Sequence, residues 1–448
     1  MELKLNNKRT LLIGFSFFTI LMLWQVYNYY CPLFLKQLFI ETFGSENNYL
    51  IGAIMALDNI LALIMLPIFG ALSDKTSTKM GKRMPYIIVG TMLSLLAFPF
   101  IAILFINHSL VGVSIMMALI LISMNIYRSP SVALMPDVTP KPLRAKANAI
   151  INLVGYIGAI IGSLLTMIFS KKVEGADTLI TGDYLVWPFV ITSIFMLVAL
   201  VVLVLKIREN AIVESMKEEM ALGEKLSETN EEIKDDKPLG KKDKFNLWVL
   251  IFSVFLWYFA FNAVETFGST YAVDILDTTN WGIATSILAI SSLITFMPST
   301  ILTKKVGRKN SIIIGLGLMI LSLGLASIFV KKFGIVLILL MIVAGAGWAI
   351  INVNSYPMFV ELSSSKNVGK FTGYYYAASQ IAQSITPIAI GFVFDWIGYE
   401  AYFPYATIFM AIALVVFCLI KMPKKETSAV DNASDKLEDT IKEDIESK

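Results

Sequence analysis

Three ionisable residues stand inside long apolar stretches of this sequence: Asp58, Arg128 and Glu265. A charge within such a stretch is costly, so each is a candidate functional group. A buried carboxylate can be neutralised by H+ or balanced by Na+, and burial favours its protonated form. The only histidine, His108, lies in a short polar turn. We therefore predict that Asp58 handles a coupling cation, with Glu265 as second candidate, although a structural role stays open for both.

Amide and aromatic side chains accumulate in several of the same stretches. Aromatic faces pack on the C–H face of a sugar ring, and amides can hydrogen-bond its hydroxyl groups. Packing between helices is the alternative use of each such residue taken singly. Their abundance favours a polar, uncharged ligand, and the predicted ligand-binding set is Trp24, Gln25, Tyr27, Asn28, Asn59, Asn125, Trp348, Asn352, Tyr375, Gln380 and Gln383.

The elements that must position these residues are apolar helices. The chain has 448 residues, of which 56% are hydrophobic and 16% charged. A membrane-spanning helix needs roughly 20 apolar residues, because lipid cannot satisfy backbone polar groups. Periodicity and length predict an all-α polytopic membrane protein with twelve such helices, at residues 11–37, 49–73, 85–106, 110–135, 147–170, 185–207, 245–275, 280–303, 311–330, 334–361, 370–393 and 401–420.

Lysine and arginine concentrate in every second predicted loop. Basic residues precede the first helix and follow the second, fourth and eighth, in the ranges 4–9, 75–83, 141–146 and 304–309. Because basic loops concentrate in the cytoplasm, both termini are predicted to be cytoplasmic in a multi-pass protein of the plasma or inner membrane. The net charge of +3 gives no indication of a nucleic-acid partner.

A charged stretch without a long apolar run divides the chain. We predict a six-helix half at 1–207, a cytoplasmic linker at 208–244 with a surface helix near 214–228, a second half at 245–424 and a disordered tail at 425–448. The segment from Pro67 resembles the segment from Pro298, and Asp137 and Glu361 close corresponding helices. These similarities between corresponding segments predict two related halves with a ligand bound between them.

The loop after the second helix carries Gly70, Asp74, Gly81, Lys82 and Arg83. This pattern resembles the corresponding loop of the major facilitator superfamily, which implies two pseudo-symmetric six-helix halves. In that family the acidic residue contacts the start of the eleventh helix, here residues 370–373, and closes the cytoplasmic side. Arg128 is interpreted as a structural or gating cation paired with an acid. The predicted cytoplasmic gate comprises Gly70, Asp74, Gly81, Arg83, Arg128, Asp137, Arg144, Glu361 and Lys370.

A narrower resemblance comes from the GKRMP ending of that loop and from the segment around the end of the fourth helix. The residues Pro130, Ala133, Leu134, Asp137, Arg144, Ala147 and Asn148 match the spacing in sucrose–proton symporters and the related glycoside-pentoside-hexuronide cation symporters. One position departs from the pattern, because Leu121 stands where plant sucrose symporters carry an acid. The coupling scheme of those symporters therefore cannot be transferred.

The resemblance implies a monomeric transporter, not an enzyme, that imports a disaccharide or related glycoside with H+ by alternating access. Sodium coupling, and a lipid or drug transporter with a wider apolar cavity, are the alternatives within transport. A membrane sensor is the alternative outside it. The sequence contains no P-loop, HExxH or GxSxG motif, so hydrolysis has no support and no cofactor or metal is expected.

Overall fold

The computed structural model describes residues 3–170, 183–230, 240–362 and 368–420. Within these ranges the regular structure is helical, with fourteen α-helices and three short 3-10 turns. The helices are α1 (Asn7–Phe43), α2 (Asn48–Lys75), α3 (Met84–Ile106), α4 (Leu110–Asp137), α5 (Arg144–Phe169), α6 (Val186–Lys206), α7 (Glu209–Ser215), α8 (Lys217–Asn230), α9 (Lys241–Asp274), α10 (Trp281–Val306), α11 (Arg308–Phe329), α12 (Ile335–Leu362), α13 (Val368–Ile397) and α14 (Tyr402–Cys418).

Twelve of these helices are long and apolar enough to cross a membrane, which confirms the predicted fold class. The largest difference in length is in α1, which is four residues longer at its start and six at its end than predicted. Polar signals fix these ends: the Asn6 side chain accepts from the backbone N–H of Arg9 at 3.0 Å, and Gly44 stops the helix with φ +72°.

The spanning helices form two six-helix halves, α1–α6 and α9–α14, which meet through α2 with α13, α5 with α10, and α1 with α9. Two glycines let the backbones of α2 and α13 touch. A Cβ atom on Gly52 would lie 2.0 Å from the carbonyl oxygen of Pro387, and one on Gly391 would lie 2.4 Å from that of Asn48. The predicted surface helix exists as α8, whereas the domain boundaries remain predictions and residues 425–448 lie outside the described ranges.

We call the end of the bundle that carries loop 76–83 the basic end, and the end that carries loop 44–47 the opposite end. Described hydrogen bonds between the halves cluster toward the opposite end. The Asp395 carboxylate of α13 accepts from the backbone N–H groups of Asn48 at 2.8 Å and Tyr49 at 3.0 Å. Lys36 of α1 forms an ion pair with Asp274 of α9. These contacts join the halves at the opposite end.

The basic end is arranged differently. The Asp74 side chain at the end of α2 is 59% exposed, and Lys370 at the start of α13 is exposed. A Cβ atom on Gly373 would meet nothing within 4 Å. Among the described residues, no hydrogen bond or ion pair joins the end of α2 to the start of α13, so the halves are not joined at the basic end as they are at the opposite end.

Candidate functional site

A cavity of about 440 Å³ lies between the halves. Its walls come from eight helices: α1, α2, α4, α5, α9, α10, α12 and α13. Eight of the eleven predicted ligand-binding residues line it, on four separate helices, together with all three intramembrane charges. These eight are Trp24, Gln25, Tyr27, Asn28, Asn59, Trp348, Gln380 and Gln383.

The three ionisable residues share this cavity although they come from three helices. Asp58 of α2 has a buried Oδ1 with no hydrogen-bond partner among the described residues. The side chain of Glu265 in α9 is exposed on the wall of the cavity. The guanidinium carbon of Arg128 lies 5.9 Å from the centre of the Trp24 ring, within cation–π range. The cavity therefore places two acids, one on each half, around one cation.

The position of Arg128 differs from the predicted one, because the residue lines the cavity rather than the gate at the basic end. In the described part of the chain, its guanidinium has no carboxylate partner within 4.0 Å. The sequence prediction placed Arg128 inside the fourth apolar stretch and grouped it with the gate residues as a cation paired with an acid, and nine residues separate it from the gate residue Asp137. Those nine residues span about 14 Å of helix, which is enough to move the side chain toward the middle of the bundle.

Three predicted ligand-binding residues do not line the cavity. Asn125 is buried within α4, where its amide nitrogen donates to the carbonyl of Leu121 at 2.9 Å. Asn352 and Tyr375 lie behind the wall, since the Tyr258 hydroxyl donates to Asn352 at 3.1 Å and contacts the Tyr375 hydroxyl at 3.2 Å. The ring of Tyr258 packs edge-on against Trp348 at 5.4 Å. These two residues support a cavity residue and do not contact the cavity themselves.

Sequence reasoning missed a polar stripe on α9. Asn262, Thr266 and Ser269 line the cavity beside Glu265. Their positions relative to Asn262 are i+3, i+4 and i+7, which is one face of a helix. That spacing was available in the sequence, where Glu265 was singled out but its polar neighbours on the same helix face were not. On α10, Trp281 and Thr285 add two further polar groups.

At the basic end, Arg83 gathers the predicted gate residues of the first half. Its guanidinium donates to Asp137 at 2.8 Å, to the Ser73 hydroxyl at 2.5 Å and to the Asp74 carboxylate. Burial alone would lower the pKa of Arg83, but the two carboxylates outweigh it and the pKa is raised. Gly70 allows close packing, because a Cβ atom there would lie 3.0 Å from the Ser129 hydroxyl of α4.

A residue of the linker completes this cluster. The carboxylate of Glu209, at the start of α7, is buried and accepts from the backbone N–H groups of Lys82, Arg83 and Met84 at 3.0 to 3.1 Å. It thereby caps the start of α3. Gly81 has φ +117°, and a Cβ atom on it would lie 2.2 Å from Glu209 Oε2. The predicted linker therefore does more than connect the halves.

Two other predicted gate residues, Arg144 and Lys370, do not join the Arg83 cluster. Arg144 donates to the carbonyl oxygens of Thr139 at 3.1 Å and Pro136 at 3.0 Å, which braces the turn between α4 and α5. Lys370 lies 5.9 Å from the ring centre of Tyr374 on its own helix. The side chain of Glu361 lies outside the described residues. Among the described side chains, the cluster is confined to the first half and to α7.

Comparison with known proteins supports the assignment of the fold. The family model for the Major Facilitator Superfamily matches residues 13–296 and 276–443. No protein of curated function matches the chain by sequence.

Solved structures with a similar fold include three transporters. The nucleoside transporter NupG has a TM-score of 0.62 at 17% identity and covers 94% of this chain and 100% of its own. The xylose transporter XylE from E. coli, in an inward-open conformation, has a TM-score of 0.65 at 17% identity. The match covers 94% of this chain and 96% of the XylE chain. A bacterial homologue of the iron transporter ferroportin, in an inward-facing state, has a TM-score of 0.64 at 13% identity. The match covers 93% of this chain and 99% of the homologue's chain. With the family match over most of its length and a central cavity between two six-helix halves, this chain belongs to the major facilitator superfamily of membrane transporters.

Proposed function

We propose that this transporter imports a disaccharide or related glycoside together with H+. The observation that carries the proposal is the composition of the central cavity. Its volume of about 440 Å³ lies within the roughly 300–1,000 Å³ typical of small-molecule sites. Amides from α1, α2, α5, α9 and α13 and indoles from α1, α10 and α12 line it. A lipid or drug transporter would need a more apolar wall.

Proton coupling is proposed to run through Asp58. Its Oδ1 is buried without a described hydrogen-bond partner. Protonation of this carboxylate would neutralise a buried negative charge that is costly to leave unpaired. Glu265 stands on the other half of the same cavity and is the second proton carrier. Arg128 lines the same cavity and is the cation that the two acids share.

We further propose that the basic end faces the cytoplasm, which makes this conformation open to the inside. The positive charge of loop 76–83 supports that orientation. The inter-half contacts of Asp395 and Lys36 would then close the outer side. Asp74 has no described hydrogen bond or ion pair with α13, which fits the same state, because the proposed role of Asp74 is to contact α13 when the inner side is closed.

Reconstitution into proteoliposomes tests the function. Labelled sucrose, maltose, xylose and uridine are offered under an inward H+ gradient, and separately under an inward Na+ gradient, with protein-free liposomes as control. We expect a disaccharide to accumulate under the H+ gradient and to leave when a protonophore is added. If a sugar accumulates only under the Na+ gradient, the coupling ion is Na+ and not H+. If no sugar accumulates under either gradient, the importer proposal is wrong.

A further inference from the structure

A second cavity, of about 350 Å³, lies at the basic end of the first half. Loop 76–83, the last residues of α6 and the first turn of α7 form its walls. None of its lining residues lines the central cavity, and none belongs to the second half. This cavity is therefore separate from the space between the halves, and the proposed transport gives it no role.

The position of the second cavity is at the edge of the membrane. α3 begins at Met84 and α6 ends at Lys206, and both helices are long and apolar enough to span a bilayer. Val204 lines the cavity, and Val201 and Leu205, on the same face of α6, are exposed. An exposed apolar face on a spanning helix contacts lipid. The cavity therefore borders the lipid-facing surface of α6, at the depth where acyl chains meet headgroups.

Hydrogen bonds hold the walls of this cavity together. The Asn210 amide of α7 donates to the carbonyl oxygens of Thr78 at 2.8 Å and Lys79 at 3.2 Å. The Thr78 hydroxyl donates in turn to the carbonyl oxygen of Gly81 at 2.6 Å. Glu209 also lines the cavity, but its carboxylate already accepts from the backbone N–H groups of residues 82–84. The cavity is thus preformed, and the acid in its wall is already engaged.

Two basic side chains of the wall have no acidic partner. Lys79 and Arg208 are both exposed, and both line the cavity. Within the described ranges, neither side chain takes part in an ion pair or a hydrogen bond. Lys82 and Arg83 of the same loop differ, because both pair with Asp137. The loop therefore contains basic residues used inside the protein and basic residues left available at the cavity.

We propose that this cavity binds the headgroup of an anionic phospholipid. A phosphate oxygen accepts hydrogen bonds from an ammonium or a guanidinium group, and basic pockets at the ends of spanning helices suit such headgroups. Met80, Val204 and Ile207 supply an apolar wall for the glycerol end of the acyl chains. A water-soluble anion would leave that wall unused, whereas a zwitterionic headgroup would bring a positive charge toward Lys79 and Arg208.

Native mass spectrometry of the purified full-length protein in detergent tests the site, because it counts bound lipids without requiring transport. We expect the wild type to bind phosphatidylglycerol more tightly than phosphatidylcholine with the same acyl chains. In the double variant Lys79→Gln/Arg208→Gln, affinity for phosphatidylglycerol should fall about thirtyfold, since each basic residue near an anionic headgroup contributes about fivefold. Lys304→Gln/Lys305→Gln is the matched control, because these lysines are exposed at the end of α10 and do not line the cavity.

A second pair of variants separates the cavity from general surface charge. Ala211 lines the cavity, so the phenyl ring of Ala211→Phe would fill it while both cations remain. Ala221→Phe is the control, because Ala221 is exposed on α8 and does not line the cavity. We expect Ala211→Phe to lose the preference for phosphatidylglycerol and Ala221→Phe to keep it.

Melting temperatures give an independent measurement. Phosphatidylglycerol should raise the melting temperature of the wild type and not that of Lys79→Gln/Arg208→Gln, because a ligand of the folded state stabilises it. If that variant does not fold, Ala211→Phe decides. Equal losses of affinity in the two charge variants, or equal binding of phosphatidylcholine, would overturn the site. Equally tight binding of glycerol 3-phosphate would show that the ligand is a soluble anion and not a lipid. None of these results depends on which substrate the protein transports.

Discussion

The contact between Asp395 and the start of α2 offers a direct way to alter the balance between conformations. Asp395 belongs to the second half, yet its two oxygens accept from two backbone N–H groups of the first half. It acts as an N-cap supplied across an interface. In Asp395→Asn, the amide retains one acceptor oxygen, and its NH₂ group faces the remaining backbone N–H. The variant therefore weakens an interaction that exists only while the opposite end is closed.

The size of the effect follows from capping energetics. Loss of an N-cap costs about 0.5–2 kcal/mol, and loss of a negative charge at a helix start about 0.3–1 kcal/mol. Asp395 is exposed, so solvent screening favours the lower part of these ranges. About 1 kcal/mol corresponds to roughly a fivefold shift of the equilibrium toward the state that is open at the opposite end.

Spin labels at Ser45 and Glu400, on exposed positions of the two halves at the opposite end, would report this shift as a longer distance population. Glu41→Gln is the matched control, because Glu41 is at the same end but its described partners, Gln37 and His108, belong to its own half. Equal distance distributions in Asp395→Asn and Glu41→Gln would refute the assignment of Asp395 as an interhelical cap.

Three further perturbations test the cavity and the basic end. Asp58→Asn should abolish gradient-driven accumulation and retain substrate exchange, because an amide cannot carry a proton; unchanged accumulation would remove Asp58 from coupling. Gly81→Ala should lower stability by about 2 kcal/mol, from strain at positive φ and contact with Glu209, and should reduce the melting temperature where Gly334→Ala does not. Glu209→Gln should cost about 1–2 kcal/mol by weakening the cap on α3, whereas Glu214→Gln, on an exposed side chain, should have no effect; equal melting temperatures would contradict the capping role.

The fold was largely predictable from the sequence because lipid imposes one requirement on every spanning segment. Each must bond its own backbone groups, so twelve apolar runs give twelve helices. Helix ends were less accurate, since the last turns of α1 continue beyond the apolar run to Gly44. The docking of Glu209 could not be predicted, because a carboxylate in a charged segment has the same local sequence whether it caps a helix or faces water.

The candidate site was predicted in composition more than in arrangement. Periodicity placed Gln380 and Gln383 on one helix, but it could not show that Tyr375 would turn behind Trp348. The sequence placed Arg128 inside an apolar stretch, but it could not show that the side chain faces the cavity and not the gate. Which residues face one cavity depends on how helices from both halves pack, and that information is not local.

The backbone contact between α2 and α13 has a mechanical consequence. Because Gly52 and Gly391 bring the two helices together without intervening side chains, this point can act as a fulcrum near the opposite end. From Gly52 to Lys75, the arm of α2 is about 35 Å long at 1.5 Å per residue. A rotation of about 10° at the fulcrum would move the Asp74 end by about 6 Å. A small change of angle at two glycines is thus amplified into a movement of several ångströms at the distant ends of α2 and α13.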